Sequence, residues 1–161
     1  MIVFRPTPAF AYARPARIVA FGFGAGLARF APGTFGTLAA WPLGWMLAGM
    51  HPVLAGPLLT ALFLIGVWAC GATSRELGIS DHGSIVWDEI VAFLIILLVL
   101  PGSFAWQLAG FVVFRAFDIG KPPPIRWIER RYRGGFGVMF DDLVAAGYTL
   151  LLLAVVRRLV Q

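Results

Sequence analysis

An all-α, polytopic bundle of about four to five membrane-embedded helices with cytoplasmic loops is the fold this sequence predicts, on three observations. Hydrophobic residues make up 60% of the 161 residues and charged residues 13%, with a mean hydropathy of +0.84, so a water-soluble surface cannot be built from this composition. No charged residue occurs between Arg29 and Arg75, nor between Glu89 and Arg115, and such gaps have the length of bilayer-spanning helices (~20 apolar residues each). The basic residues fall into blocks beside these apolar runs, as expected of segments that stay in the cytoplasm and meet anionic lipid. With that placement the net charge of +5 speaks for a lipid bilayer as partner and against nucleic acid. Residues 1–161 read as one domain.

The N-terminal segment 1–17 is expected to remain on the chain, because Pro6, Pro8, Arg14, Pro15 and Arg17 interrupt any signal-peptide core. Next comes "FGFGAGLARFAPGTFGT" at 21–37. Its glycines recur every second residue with no strand before them, unlike a dinucleotide fingerprint. Thr34 and Thr37 could cap the first long helix, and free amides at that helix start would suit a phosphate. Residues 30–74 are too long for one span and are broken by "HPVLAGP" at 51–57, which predicts a helical hairpin over 35–50 and 54–73. Arg5, Arg14, Arg17 and Arg29 before it and Arg75 after it put both ends in the cytoplasm.

The stretch 90–114 reads as a hairpin turning at "PGS", 101–103. A single span would carry Arg115, Lys121, Arg126, Arg130, Arg131 and Arg133 to the wrong face. Each arm has only about 11 uncharged residues, so the helices must begin inside the charged motifs, near 84 and 118. In "KPPPIRWIERRYRGGFG", prolines 122–124 stop the preceding helix and glycines 134, 135 and 137 permit sharp turns. A short helix between them would put Arg126, Arg130 and Arg133 on one face and Ile125, Ile128 and Tyr132 on another. It reads equally as an interfacial helix on lipid phosphates or as a solvated loop with topogenic arginines. A last apolar segment, 143–156, ends in Arg157 and Arg158. Crossing outward would break the basic-residue bias, so its topology stays open.

Six of the eight acids lie in three motifs that abut apolar segments: "DHGSIVWDE", "RAFDIGK" and "DD". Acids beside a membrane span are costly and are usually matched to a cation or a relay. Asp88, Glu89, Asp118, Asp141 and Asp142 form a pool of metal ligands. Carboxylates without cysteine suit a hard cation, most naturally Mg²⁺, which completes its shell with water and substrate phosphate. Structural salt bridges to Arg115 or Lys121 are the other reading. His82, beside Asp81, could be a general acid or base, a metal ligand, or a helix cap. His51 reads as an interfacial turn residue. Cys70, the single cysteine, is taken as membrane packing, because "CGATSR" has four residues between Cys and Arg where cysteine-phosphatase loops have five.

Missing residues set other enzymes aside: the sequence lacks the D-x-D-x-[TV] nucleophile, the P-S-G-H with S-R-x₅-H pattern, and the D-G-x₂-A-R core of CDP-alcohol phosphotransferases. Read together, "APGTFGTLAA", "DHGSIVWDE", "FRAFDIGKPPPIRW" and "GGFGVMFDDLVAAG" resemble the bacterial phosphatidylglycerophosphatase A family, in the same order and at similar spacing, over roughly residues 18–150. The resemblance implies an integral, Mg²⁺-dependent phosphatase of the inner membrane. Such an enzyme removes the terminal phosphate of phosphatidylglycerophosphate, giving phosphatidylglycerol. It also implies that Thr34, Asp81, His82, Asp88, Glu89, Asp118, Lys121, Asp141 and Asp142 are its functional positions, while 1–17 and 122–124 look variable. On this reading Asp81, His82 and Asp88 are catalytic, and Thr34, Arg115 and Lys121 bind the substrate. A small ion or proton transporter with intramembrane carboxylates is the alternative, and would spread its acids through the depth of the spans. A lipid-binding scaffold would tolerate their neutralisation. The oligomeric state is left open.

Overall fold

A computed structural model describes residues 5–79 and 82–160, with the backbone alone at 128–130. Helices are its only regular structure among the described residues. Two short ones come first, α1 (Pro8–Tyr12) and α2 (Pro15–Ala20). Each opens on a proline, whose missing N–H would have no partner at a helix start. A 3₁₀ segment, Gly22–Leu27, leads to α3 (Pro32–Leu47), and α4 (Pro52–Leu77) completes the expected hairpin. At its turn the His51 Nδ1 accepts from the Val53 N–H at 3.3 Å, capping α4. Gly78, at φ +69°, ends that helix in the left-handed conformation. A second hairpin, α5 (Trp87–Val99) and α6 (Phe104–Gly120), turns at 100–103 as expected. The short α7 (Ile125–Arg131) then leads to α8 (Gly134–Val160).

Two described helices, α4 with 26 residues and α8 with 27, are long and apolar enough to cross a membrane. That is fewer than the expected four to five. The others have 16 (α3), 13 (α5) and 17 (α6) residues. At 1.5 Å per residue they reach about 20 to 26 Å, short of a hydrocarbon core of about 30 Å. Only 17% and 22% of the most apolar windows of α4 and α8 are buried, so these helices turn apolar residues such as Leu64, Trp68, Leu151 and Val155 outward.

At the centre stands α5, packed against α3, α4, α6 and α8. Its sequence "WDEIVAFLIILLV" is apolar on every face beyond the first turn, the pattern of a helix enclosed by others, and Ile90 to Leu94, Ile96 and Leu97 are buried. Small residues let the neighbours close in. On α3, a Cβ at Gly36 or Gly44 would strike Val86 or Leu97. Between α3 and α6 the gap is filled by Trp41, which stacks on Phe111 and Phe104. Its indole N–H donates to the buried Gln107 Oε1 at 2.8 Å. Short connections make successive long helices antiparallel. The starts of α3, α5 and α8 and the ends of α4 and α6 therefore meet at one end of the bundle.

Candidate active site

At that end the chain from 82 to 86 sets the register of α5. The Ile85 N–H donates to the His82 carbonyl at 2.7 Å, and the Val86 N–H to the Ala20 carbonyl at 2.9 Å. Asp88 and Glu89 then fall in the first turn of α5, where the helix dipole favours negative charge. Both are buried.

Glu89 meets two other elements. Arg115, near the end of α6, donates through Nη1 to Glu89 Oε1 at 3.1 Å and also to Asp118, three residues along its own helix. From α3, Gly33 lies so close that a Cβ there would coincide with the Glu89 carboxylate. Lys121 follows at the end of α6 in the left-handed conformation, φ +39°. That backbone costs a residue with a side chain about 1–2 kcal/mol. It is held while Nζ bonds Asp141 Oδ2 on α8 at 3.0 Å. Asp142 is 4% exposed and lies within electrostatic reach of Asp118, Asp88, Glu89 and Asp141.

Five of the expected carboxylates, Asp88, Glu89, Asp118, Asp141 and Asp142, thus come together from three helices with Arg115 and Lys121. The expected salt bridges to these two cations are present, yet five acids against two cations leave three formal negative charges in a largely buried space. Two atoms of opposite polarity are buried there without a hydrogen-bond partner, Asp142 Oδ2 and Arg115 Nε. An all-oxygen donor set with an orphaned carboxylate oxygen fits a hard divalent cation, and an orphaned guanidinium N–H fits an anion. As the side chains stand, no three His, Cys, Asp or Glu groups among the described residues converge to metal-binding distance.

Of the other expected positions, Thr34 adjoins the cluster through Gly33, and His82 stands in the loop before α5. His82 is buried, and its Nδ1 accepts from the Ser84 N–H at 3.1 Å, closing a local turn rather than capping a helix. Thr34 and Thr37 are not caps either. Ala31 holds the cap position of α3, Thr34 sits half-buried in the first turn, beside Gly33, and the Thr37 hydroxyl donates to the Gly33 carbonyl at 2.9 Å. Pro32 moves the helix start forward of both threonines. Asp81 lies outside the described residues. Cys70 is buried in mid-α4, as its packing role requires.

Some features escaped sequence reasoning. Glu76 receives both Arg14 and Arg17 at 2.5 Å, tying the N-terminal helices to the end of α4. Charge alone could not have chosen these partners across some sixty positions. Gly33 belonged to a glycine-rich stretch, but only the fold shows which glycine an acid touches.

The family model of phosphatidylglycerophosphatase A matches residues 18–157. A phosphatidylglycerophosphatase A of Haemophilus influenzae is 44% identical over 145 residues, covering 89% of both chains. One of Escherichia coli is 47% identical over 133 residues, 81% of this chain and 77% of the relative. A Bacteroides thetaiotaomicron protein provisionally named a phosphatidylinositol-3-phosphatase is 37% identical over 148 residues, 87% of this chain and 92% of the relative. No solved structure matches. With its motifs matched in order and the acids of those motifs gathered at one end of a helical bundle, this chain belongs to the phosphatidylglycerophosphatase A family.

Proposed function

We propose that the chain is a lipid phosphatase that hydrolyses the terminal phosphomonoester of phosphatidylglycerophosphate to phosphatidylglycerol and inorganic phosphate. The acid cluster would face the cytoplasm from a multi-pass bundle in the inner membrane, within reach of a headgroup whose acyl chains never leave the bilayer. The observation that carries this reading is the cluster of five carboxylates, four of them buried, and two half-buried cations in a chain of this family.

Arg115 and Lys121 would neutralise the phosphate, Arg115 through the N–H that has no partner. Thr34, in the turn beside Gly33, would add a hydroxyl to that contact. Asp88, Glu89, Asp118, Asp141 and Asp142 would hold Mg²⁺, which when bound offsets phosphate charge and activates water or stabilises the leaving glycerol oxygen. Because Nδ1 of His82 accepts a backbone N–H, the ring proton is on Nε2. From there His82 would donate a hydrogen bond that steadies the charge on the leaving oxygen, with Asp81 beside it in sequence as acid or base. The gathering of the acids at one end of the bundle favours this reading over a proton relay, which needs groups spaced across the membrane.

Phosphate release from phosphatidylglycerophosphate in detergent micelles tests the reading, with and without Mg²⁺ and beside Asp88→Asn. Activity is expected to need the metal and to fall roughly 100-fold or more in the variant. A folded Asp88→Asn protein with unchanged rate and metal dependence would remove Asp88 from the site. A phosphatidylinositol phosphate, run in parallel because of the Bacteroides relative, is expected to be cleaved far more slowly.

A further inference from the structure

Behind the first turn of α3 lies a cavity of about 440 Å³ that the acid cluster does not include. Its walls carry Arg5, Arg29 and His82, with Pro32 between it and Gly33. The same turn therefore shows one side to this cavity and presses the other against Glu89. Among the described residues no carboxylate lines it, Asp81 beside His82 lying outside them, and neither Arg5 nor Arg29 forms an ion pair with a described residue. Arg5 is held in place by a bond from Nη2 to the Arg29 carbonyl at 3.3 Å. Two guanidinium groups on one cavity give it a positive potential that attracts an anion, and the planar fork of arginine matches phosphate oxygens in pairs. The volume falls in the range of small-molecule sites (about 300–1,000 Å³).

We infer that this cavity is a second phosphate site, distinct from the carboxylate cluster, with Arg29 as its principal ligand and Arg5 as support. On the proposed function, on which the identity of the ligand rests, two sources share this chemistry. One is the bridging phosphodiester of the substrate headgroup, engaged while the terminal phosphate meets Arg115 and Lys121. The other is the inorganic phosphate released by hydrolysis. In the first case Arg29 is a positioning residue that selects lipids with two phosphates over those with one.

The test uses the full-length protein in micelles with Arg29→Gln and Arg29→Lys. Arg29 is exposed, so neither variant burdens folding. Phosphatidylglycerophosphate and phosphatidic acid, which has a single phosphomonoester, are compared as substrates and as competitors, and inorganic phosphate is titrated as inhibitor. If the headgroup is the source, Arg29→Gln raises KM for the two-phosphate lipid on the order of tenfold, the loss of one charge-assisted bond. In that case kcat and the constants for phosphatidic acid stay put, and Arg29→Lys recovers part of the loss. If released phosphate is the source, Arg29→Gln weakens phosphate inhibition by a similar factor and moves neither KM. Unchanged KM and unchanged inhibition together would overturn the site. Should the protein cleave no lipid, the functional reading fails by itself. Thermal stabilisation by inorganic phosphate then decides the cavity, and a response equal in the parent and in Arg29→Gln would reject it.

Discussion

At Gly33 one hydrogen atom stands where any other residue would place a carbon, and the space is taken by the Glu89 carboxylate. Because Glu89 also holds Arg115, a side chain at 33 would push an acid and a cation together, leaving the distant core untouched. Gly33→Ala is therefore expected to lower phosphate release roughly 100-fold, the usual result of a displacement of about 1 Å in a site, while the melting temperature falls little. Initial rates beside thermal melts check this, and full activity would show that Glu89 can move without consequence. The acids themselves were legible in the sequence, since charge beside apolar runs is conspicuous. Their pairing was not. Arg115 and Lys121 stood out as the best placed cations, yet which acid each meets depends on how α6 turns toward α5 and α8. The threonines were misread as caps because Pro32 is an equally good helix start, and it lies two residues earlier.

The helices that touch most closely do so through glycine. Residues 134, 135 and 137 read as turn-formers in the sequence, but only Gly134 has a positive φ, +76°. Gly135 and Gly137 lie within α8. A Cβ on Gly135 would fall on the Val67 carbonyl and the backbone at Gly71, so its role is close approach of α8 to α4. Gly56, on the exposed part of α4, has nothing within 4 Å. Gly135→Ala should destabilise the bundle by about 1–3 kcal/mol, as overpacking does. Gly56→Ala should stabilise it by about 0.5–1 kcal/mol, through helix propensity. Denaturation in one detergent compares the two, and equal effects would mean that α4 and α8 can separate freely. The breaks near 50, 102 and 122 were legible because proline and glycine act locally. The first, however, lies at 48–51, and residues 52–57, expected to interrupt the chain, open α4 instead, with Pro52 in its first turn and Pro57 inside it. The apolar arms of α5 and α6 were already short in the sequence, but the enclosure of α5 was not legible, since apolar composition alone does not distinguish a helix facing lipid from one wrapped in other helices.

For the whole molecule, charge sorts the two ends. Arg5, Arg14, Arg17, Arg29, Arg75, Arg115, Lys121, Arg126 and Arg131 lie at the acid end, while Arg157 and Arg158 end α8 at the other. Under the basic-residue bias, the proposed function expects the acid end on the cytoplasmic face. On a Cys70→Ala background, Gly102→Cys should react with a membrane-impermeant thiol reagent in intact spheroplasts, whereas Ala13→Cys should react only after lysis. The reverse pattern would invert the orientation and place the acids away from their substrate. The same picture leaves the parent protein unlabelled in both preparations, because Cys70 is buried.

Taken by itself, the sequence determined the helical class, the hairpin breaks, the pool of acids and, through four motifs in order, the family. All of these are carried by composition or by residues near one another in the chain, where periodicity, proline chemistry and charge act locally. Tertiary structure alone decided that α5 is enclosed, that Arg115 joins Glu89 to Asp118, that Lys121 reaches Asp141, and that Arg5 and Arg29 share a cavity with His82. Such pairings, and a cavity lined by residues as far apart as Arg5 and His82, join distant parts of the chain. Their geometry is set by how closely helix backbones approach, a property of the packed bundle as a whole.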